Sequence, residues 1–137
     1  MHVNPYLFFN GTCEEAFKFY EKSLGGKIVA MLTHAETPAA KDTPPEWQQK
    51  IIHARLLIGD QLLMGSDAPP GRYQKPQGFS VTVTVDTADE ADRLYHALEP
   101  GGEVCMPIGE TFWARRFGMI NDRFGIAWMI NCEKPMK

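Results

Sequence analysis

The sequence predicts an α+β fold built from two βαβββ modules, each a strand, a helix and three further strands. Three observations support this prediction: an amphipathic helix pattern occurs twice, a strand-like run precedes each copy, and three strand-like runs follow each copy. The chain has 137 residues, enough for one domain but small for two independent ones. We therefore predict a single domain, 1–137, in which modules 3–67 and 78–133 form a curved mixed sheet around a cleft.

The two predicted helices share a start, an apolar face and an end. Thr12 is followed three positions later by Glu15, and Thr87 by Glu90, which is the spacing of a capping box. Paired glycines end each helix, since glycine accepts the left-handed conformation at a helix C-terminus. The capping boxes are 75 positions apart and the glycine pairs 76, which indicates an internal repeat. The faces are Ala16, Phe19, Tyr20, Leu24 and Ala91, Leu94, Tyr95, Leu98, and the pairs are Gly25-Gly26 and Gly101-Gly102.

The strand-like runs are apolar or alternating and are bounded by turn residues. Gly59-Asp60 predicts a hairpin turn between the third and fourth strands. Segment 66–78 is rich in proline, glycine and polar residues and predicts the linker between the modules. Segment 35–49 predicts a plain surface loop, with a lid anchored by Trp47 as the alternative. The predicted strands lie in NPYLFFN, KIVAMLTHAE, KIIHARLLIG, QLLMGSD, GFSVTVTVD, EVCMPIGET, FWARRFGMIN and GIAWMINCE.

Composition and charge argue against several classes of function. A formal net charge of −3 argues against a nucleic-acid partner, which requires a concentrated basic surface. No apolar run approaches the roughly 20 residues that span a bilayer, and the N-terminus lacks the pattern of a signal peptide, so no membrane partner is expected. Three widely spaced cysteines favour reduced thiols in a cytoplasmic protein over a disulfide framework or a zinc cluster.

The segments FKFYEKSLGGK and NDRFGIAWMIN, together with the two βαβββ modules, resemble the vicinal-oxygen-chelate superfamily, which includes glyoxalases, bleomycin-resistance proteins and extradiol dioxygenases. FKFYEKSLGGK is similar to the signature of its first helix, and NDRFGIAWMIN lies where its last hairpin would be. Within the superfamily, the PhnB-like proteins, some of them described as 3-demethylubiquinone-9 3-methyltransferase, are similar over nearly the whole chain. The resemblance implies the glyoxalase/bleomycin-resistance/dioxygenase fold, a small-molecule ligand and a homodimer. It is carried by NPYLFFNGTCEEAFKFY, LLIGDQLLMGSDAPP and FWARRFGMINDRFGIAWMIN.

Enzymes of this superfamily bind a divalent metal through His and Glu on the first and fourth strands of each module. Carried over to this sequence, those positions are Pro5, Met64, Ser80 and Met129, or Trp128 if the last register shifts by one. None has the imidazole or carboxylate that such a metal requires, so we expect no metal. S-adenosylmethionine would need a glycine-rich loop at a helix start, whereas both glycine pairs end helices, so we expect no such cofactor.

His53 and Arg55 are candidate site residues on the third predicted strand. They alternate with apolar residues, so they should share the face that does not pack under the helix. Histidine titrates near neutral pH, and the two side chains together could act in acid–base chemistry or bind an anion. The alternative is an ordinary solvated strand face.

A second candidate group lies on the seventh predicted strand. An arginine between aromatic side chains can bind a carboxylate or a phosphate, and the alternative is an apolar row facing the helix with a surface arginine. Glu110, just before the strand, could pair with this arginine in a catalytic or a structural role. The residues predicted to share one face, with Arg116 on the other, are Trp113, Arg115, Phe117 and Met119.

Asp67 ends the fourth predicted strand, and two roles are open for it. It could be a carboxylate in the cleft, or a turn-forming residue ahead of Pro69-Pro70. Apolar side chains could line the same cleft, although core packing would explain each one individually. These side chains are Met64, Met129, Trp128, Phe9 and Phe79.

These patterns favour a small-molecule-binding protein that uses no metal. One alternative is an enzyme acting on a small organic or, as the resemblance implies, phosphonate-related substrate, with His53, Glu110 or Asp67 as acid–base groups. The other alternative is an assembly module that binds no ligand. The expected ligand contacts are His53, Arg55, Met64, Trp113, Arg115 and Met129.

Overall fold

The computed structural model describes residues 1–135 and divides into two compact units, Met1–Gln74 and a second unit that begins at Lys75. The division falls within the segment predicted to be the linker. In the described part of the chain, no helix is long and apolar enough to cross a membrane.

The first unit contains one α-helix and a four-stranded mixed sheet, sheet 1. Its elements are β1 (Tyr6–Phe9), α1 (Cys13–Leu24), β2 (Lys27–Thr33), β3 (Ile51–Ile58) and β4 (Gln61–Asp67). The strand order is β1-β4-β3-β2, with β1 parallel to β4 and the other neighbours antiparallel. Three short 3-10 helices connect β2 to β3: His34–Glu36, Pro38–Asp42 and Pro45–Trp47.

The second unit repeats this arrangement with sheet 2. Its elements are β5 (Val81–Thr84), α2 (Ala88–Leu98), β6 (Glu103–Gly109), β7 (Ala114–Asn121) and β8 (Ala127–Glu133). The order is β5-β8-β7-β6, and again the first strand is parallel to the last while the other neighbours are antiparallel. The predicted α+β class with two βαβββ modules is confirmed, and the strands form two four-stranded sheets, one in each unit.

One apolar face of each helix packs on its sheet. The predicted face of α2 is confirmed, because all four of its residues are buried. The face of α1 differs slightly: Ala16, Phe17 and Tyr20 are buried, while Phe19 and Leu24 are only half-buried. The helical period of the apolar residues therefore identified both helices. In α1, however, the predicted apolar face included Phe19, whereas Phe17 is the phenylalanine that is buried.

A glycine in each sheet makes room for an aromatic ring of the helix. A Cβ atom at Gly65 would lie 2.8 Å from the Leu7 carbonyl oxygen and 2.8 Å from the Phe17 ring. A Cβ atom at Gly118 would lie 2.9 Å from the Tyr95 ring. All three distances are too short for a real Cβ atom, so these glycines allow each ring to lie directly on a strand.

The two helix starts are capped differently, which corrects the prediction of two equivalent capping boxes. Thr87 Oγ1 accepts a hydrogen bond from Glu90 N at 3.2 Å, as expected, but the Glu90 carboxylate pairs with Arg93 instead of completing the box. Thr12 forms no side-chain cap. Its backbone is not in the extended conformation that an N-cap normally adopts, with φ −112° and ψ 14°. A carboxylate from β4 takes its place, as described below.

Candidate functional site

The face of sheet 1 that points away from α1 brings together three of the predicted ligand contacts. We call it the helix-free face of sheet 1. Across the strands, Tyr6 pairs with Met64, Met64 with Arg55, and Arg55 with Ala30. Two residues further along each strand, on the same face because side chains alternate, lie Phe8, Ser66, His53 and Leu32. His53, Arg55 and Met64 are therefore neighbours on one surface.

Tyr6 and His53 form a hydrogen-bonded, stacked pair on this face. The Tyr6 hydroxyl lies 3.2 Å from His53 Nδ1, and the two rings are 5.8 Å apart with an interplanar angle of 23°. The hydrogen bond and the stacked rings orient the imidazole toward the phenol. Sequence reasoning missed Tyr6 because its partner is 47 positions away.

Two apolar side chains beside this pair, Phe8 and Leu32, are exposed to solvent, as is Tyr6 itself. The exposed fractions are 36% for Tyr6, 51% for Phe8 and 41% for Leu32. The Tyr6 and Phe8 ring centroids are 5.1 Å apart. Exposed apolar groups arranged around a few polar groups are typical of ligand-binding surfaces.

Asp67 does not belong to this surface, which corrects its candidacy as a cleft carboxylate. The side chain is buried on the α1 side of sheet 1, where Oδ1 accepts Cys13 N at 2.9 Å and Oδ2 accepts Ile51 N at 2.9 Å. Asp67 therefore caps the start of α1 and joins it to the start of β3. Its role is structural, because both oxygens are already used by backbone donors.

The positions that the resemblance assigned to a metal do not suit one. Met64 has Tyr6 as its strand neighbour, not Pro5, and Met129 has Thr82 as its neighbour, not Ser80. A phenol, a hydroxyl and two thioethers are a poor donor set for a hard divalent cation. Among residues 1–135, no group of three or more His, Cys, Asp or Glu side chains could hold a metal ion.

The predicted row of four residues on β7 is interrupted by a β-bulge between Ala114 and Arg116. At the bulge, Arg115 no longer follows the alternation of side chains between the two faces of the sheet. The Arg115 Nε donates to the Glu133 carbonyl oxygen at 3.3 Å. Arg116 lies on the opposite, helix-facing side as predicted, where its Nε is 3.2 Å from Asp92 of α2. Sequence periodicity cannot detect such a bulge, because the extra residue leaves the composition of the strand unchanged.

The remaining residues of this row do share a face of sheet 2. Phe117 pairs with Asn131 and Met119 with Met129, and the Trp113 ring packs edge-on against Phe117 at 5.3 Å. These contacts place Trp113 and Met129 on the side of sheet 2 that points away from α2.

Glu110 pairs with Lys134 and not with Arg115, the partner that the sequence had left open for it. The Lys134 ammonium lies 3.0 Å from Glu110 Oε2, and this hydrogen bond lowers the pKa of the Glu110 carboxyl. A lowered pKa keeps the group ionised at neutral pH, which makes it a poor general acid.

Two of the apolar lining candidates belong to the core. Phe9 is fully buried, with its ring edge-on to Phe17 of α1. Trp128 is also buried, and its Nε1 donates to Asp122 Oδ2 at 2.8 Å. By contrast, Met64 and Met129 are half-buried, and Phe79 is exposed just before β5.

The segment between β2 and β3 is an ordered loop held by its own hydrogen bonds. Gln48 Nε2 donates to the carbonyl oxygens of Ala40 and Thr43, each at 2.7 Å. Trp47 is half-buried beside Gly11, and Lys50 Nζ donates to the Gly11 carbonyl oxygen at 3.0 Å. Trp47 thus anchors the loop next to the start of α1.

The three cysteines differ in accessibility, which predicts their reactivity. Cys13 and Cys132 are buried, and Cys105 is exposed on β6. Burial, with a smaller contribution from the Asp67 carboxylate, raises the pKa of the Cys13 thiol, and the thiolate is the reactive form.

With a thiol-reactive disulfide reagent, we expect one thiol of the folded protein, that of Cys105, to react fast. This reaction should be absent in Cys105→Ser, and all three thiols should react after unfolding. Fast reaction of Cys13 in the folded protein would contradict this assignment.

Comparisons with known proteins agree with this architecture. The chain matches the model of the family described as 3-demethylubiquinone-9 3-methyltransferase over residues 1–131. It is 33% identical to protein YjdN of Escherichia coli K12, over 98% of this chain and 97% of YjdN. Among solved structures, it is 48% identical to protein PA1353 from Pseudomonas aeruginosa, with a TM-score of 0.90 over 98% of this chain and 99% of the other.

Two further structures extend the comparison. A PhnB protein from Bacillus cereus is 25% identical, with a TM-score of 0.79 over 96% of this chain and 99% of the other. The fosfomycin resistance protein FosX from Listeria monocytogenes is 9% identical, with a TM-score of 0.68 over 98% and 94%. At that identity FosX shows a common fold alone.

Proposed function

The chain belongs to the 3-demethylubiquinone-9 3-methyltransferase family, and from that premise we propose that it binds a small organic molecule on the helix-free face of sheet 1, without a metal ion. The observation that supports this most strongly is the Tyr6–His53 pair. A hydrogen bond of 3.2 Å orients an accessible imidazole among exposed apolar side chains. Such a surface offers both directional polar contacts and apolar area to a ligand.

Methyl transfer from S-adenosylmethionine is not part of this proposal, although the family description refers to it. Nucleotide-like cofactors commonly bind at backbone N–H groups of a glycine-rich helix start. Here Gly25 caps the C-terminal end of α1 with φ 73°, and Gly101 follows α2 with φ 76°. Neither glycine pair therefore provides such a helix start.

Acid–base catalysis by His53 is a second candidate function. It is favoured by the same hydrogen bond, since a general base is usually oriented by a neighbouring group. Glu110 is not its partner in this proposal, because the Glu110 carboxylate is paired with Lys134. Binding is the primary proposal, because at the described strand positions of this face the neighbours of His53, other than Arg55 and the Tyr6 phenol, are neither acids nor bases.

Three small aromatic probes test the binding proposal: indole, benzyl alcohol and benzoate. Isothermal titration calorimetry with chelator-treated protein is expected to show saturable binding of one molecule per chain for at least one probe. His53→Leu should weaken that binding by about tenfold, the equivalent of roughly one hydrogen bond. His96→Leu is the matched control, because His96 is an exposed histidine on α2. The proposal fails if no probe binds saturably, or if the two variants bind equally well.

The proposal that no metal takes part predicts that divalent ions leave stability unchanged. A ligand that binds the folded state raises the melting temperature by mass action. We therefore expect chelator-treated protein to keep its melting temperature on addition of Mn, Fe, Ni or Zn in stoichiometric amounts. A reproducible rise with one ion, lost in Tyr6→Phe, would place a metal on the helix-free face of sheet 1.

We also propose a homodimer, as the family resemblance implies. Exposed apolar side chains on the edge strand β6 and in the loop after it provide a surface for the second copy, since patches of this kind commonly mark protein contacts. Analytical ultracentrifugation should give the mass of two chains for the wild type and a shift toward one chain for Phe112→Ser. A wild type with the mass of one chain at all concentrations would exclude the dimer. The patch comprises Met106, Phe112 and Trp113.

A further inference from the structure

The polar groups on the helix-free face of sheet 1 select a class of ligand. Resting on the proposed function, we infer that the bound molecule carries an oxyanion, a carboxylate or a phosphate group, on an apolar body. Three properties of the face support this within the described residues: an arginine with no carboxylate at ion-pairing distance, strand positions without acidic residues, and a histidine whose second nitrogen can donate.

Arg55 is the cation of this face. It is exposed, and its strand neighbours Met64 and Ala30 carry no charge. Within residues 1–135, no carboxylate lies at ion-pairing distance from its guanidinium, whereas Arg93 and Arg116 both have acidic partners. A guanidinium presents five N–H donors in a planar fork, which matches the two oxygens of a carboxylate or phosphate.

No acidic side chain occupies the described strand positions around Arg55. The residues there are aromatic, aliphatic, hydroxylic or basic. Asp67 is a carboxylate at the end of β4, but it is buried on the opposite side of the sheet. There it accepts hydrogen bonds from two backbone N–H groups. An anion would therefore be attracted by Arg55, and no carboxylate at the described strand positions of this face would repel it.

Tyr6 prepares His53 to donate to such a group. When the Tyr6 hydroxyl donates to Nδ1, the imidazole proton resides on Nε2, and when the ring is doubly protonated Nε2 again carries a proton. In both states Nε2 is a donor. An oxyanion favours these two states over the remaining tautomer, in which Nε2 would be an acceptor.

Phe8 and Leu32 indicate that the remainder of the ligand is apolar. They lie on the same face as His53, and half or nearly half of each side chain is exposed. Their positions beside the polar groups match a molecule in which the oxyanion is attached to an aromatic or aliphatic body.

Matched charged and neutral probes test this inference. Benzoate and phenyl phosphate carry the oxyanion, and benzamide and benzyl alcohol are their uncharged counterparts. By titration calorimetry we expect the anions to bind at least about tenfold more tightly than the neutral probes, the effect of one charge-assisted hydrogen bond or more. A preference for benzoate would identify a carboxylate ligand, and a preference for phenyl phosphate a phosphate ligand.

Two arginine variants provide the second arm of the experiment. Arg55→Gln should weaken binding of the anions by about tenfold while changing benzamide binding by less than about twofold. Arg72→Gln, a substitution in the exposed linker, is the matched control and should change neither. Equal binding of charged and neutral probes, or anion binding unchanged in Arg55→Gln, overturns the inference and leaves the proposed function standing. Absence of binding by all four probes and by indole overturns both.

Discussion

Replacing Asp67 with alanine is expected to lower the free energy of unfolding by about 3–5 kcal/mol, because two buried backbone N–H groups lose a charged acceptor. Both hydrogen bonds measure 2.9 Å, and the side chain is only 3% exposed. In the alanine variant, Cys13 N and Ile51 N lose the acceptor that they have inside the protein. Chemical denaturation followed by circular dichroism measures the loss.

Asp60→Ala is the matched control for this substitution. Asp60 lies in the exposed turn between β3 and β4, where its carboxylate accepts a hydrogen bond from the adjacent Gln61 side chain at 3.1 Å. Its replacement should change stability by no more than about 0.5 kcal/mol. If Asp67→Ala and Asp60→Ala have equal effects, the assignment of Asp67 as the structural carboxylate of the first unit is wrong.

Replacing Asp122 with alanine is expected to have a comparable effect in the second unit, again about 3–5 kcal/mol. This side chain is buried between β7 and β8, where Oδ1 accepts Phe124 N at 2.8 Å and Ile126 N at 3.0 Å. Its other oxygen accepts Trp128 Nε1 at 2.8 Å. One carboxylate therefore holds both the turn and the largest buried side chain of the sheet.

Asp92→Ala is the matched control for Asp122→Ala. It shows how much stability is lost when an acidic side chain outside the core is removed. Asp92 pairs with Arg116 at 3.2 Å, and its side chain is 37% exposed. Partly exposed ion pairs contribute at most about 1 kcal/mol, so Asp92→Ala should be mild. The tryptophan fluorescence of Asp122→Ala should also change, because Trp128 loses its partner. A mild effect of Asp122→Ala with unchanged fluorescence would contradict the proposed role.

The order of helices and strands was predictable because it depends on local patterns. Hydrophobic period, glycine pairs and turn residues are properties of short segments, and each segment's preference agrees with its place in the fold. The buried face of α2 followed directly from the spacing of Leu94 and Leu98. Even so, the same reasoning chose Phe19 over Phe17 in α1, since only packing against Gly65 distinguishes the two.

The candidate site was less predictable because it depends on contacts between distant segments. The cap of α1 comes from Asp67, 54 positions beyond Cys13, and no local pattern reveals it. The Tyr6–His53 pair depends on the strand order β1-β4-β3, which places two strands side by side only after the sheet has formed. His53 and Arg55 were predictable as a pair because they alternate with apolar residues on one strand.

The most direct test of the central claim is the NMR signal of the His53 imidazole nitrogens during a titration with benzoate and phenyl phosphate, using chelator-treated protein. We predict that the His53 signals shift saturably, that those of His96 on α2 do not, and that Tyr6→Phe reduces the His53 response. Saturable binding that leaves the His53 signals unchanged would show that the ligand site lies elsewhere and would contradict the assignment of the helix-free face of sheet 1.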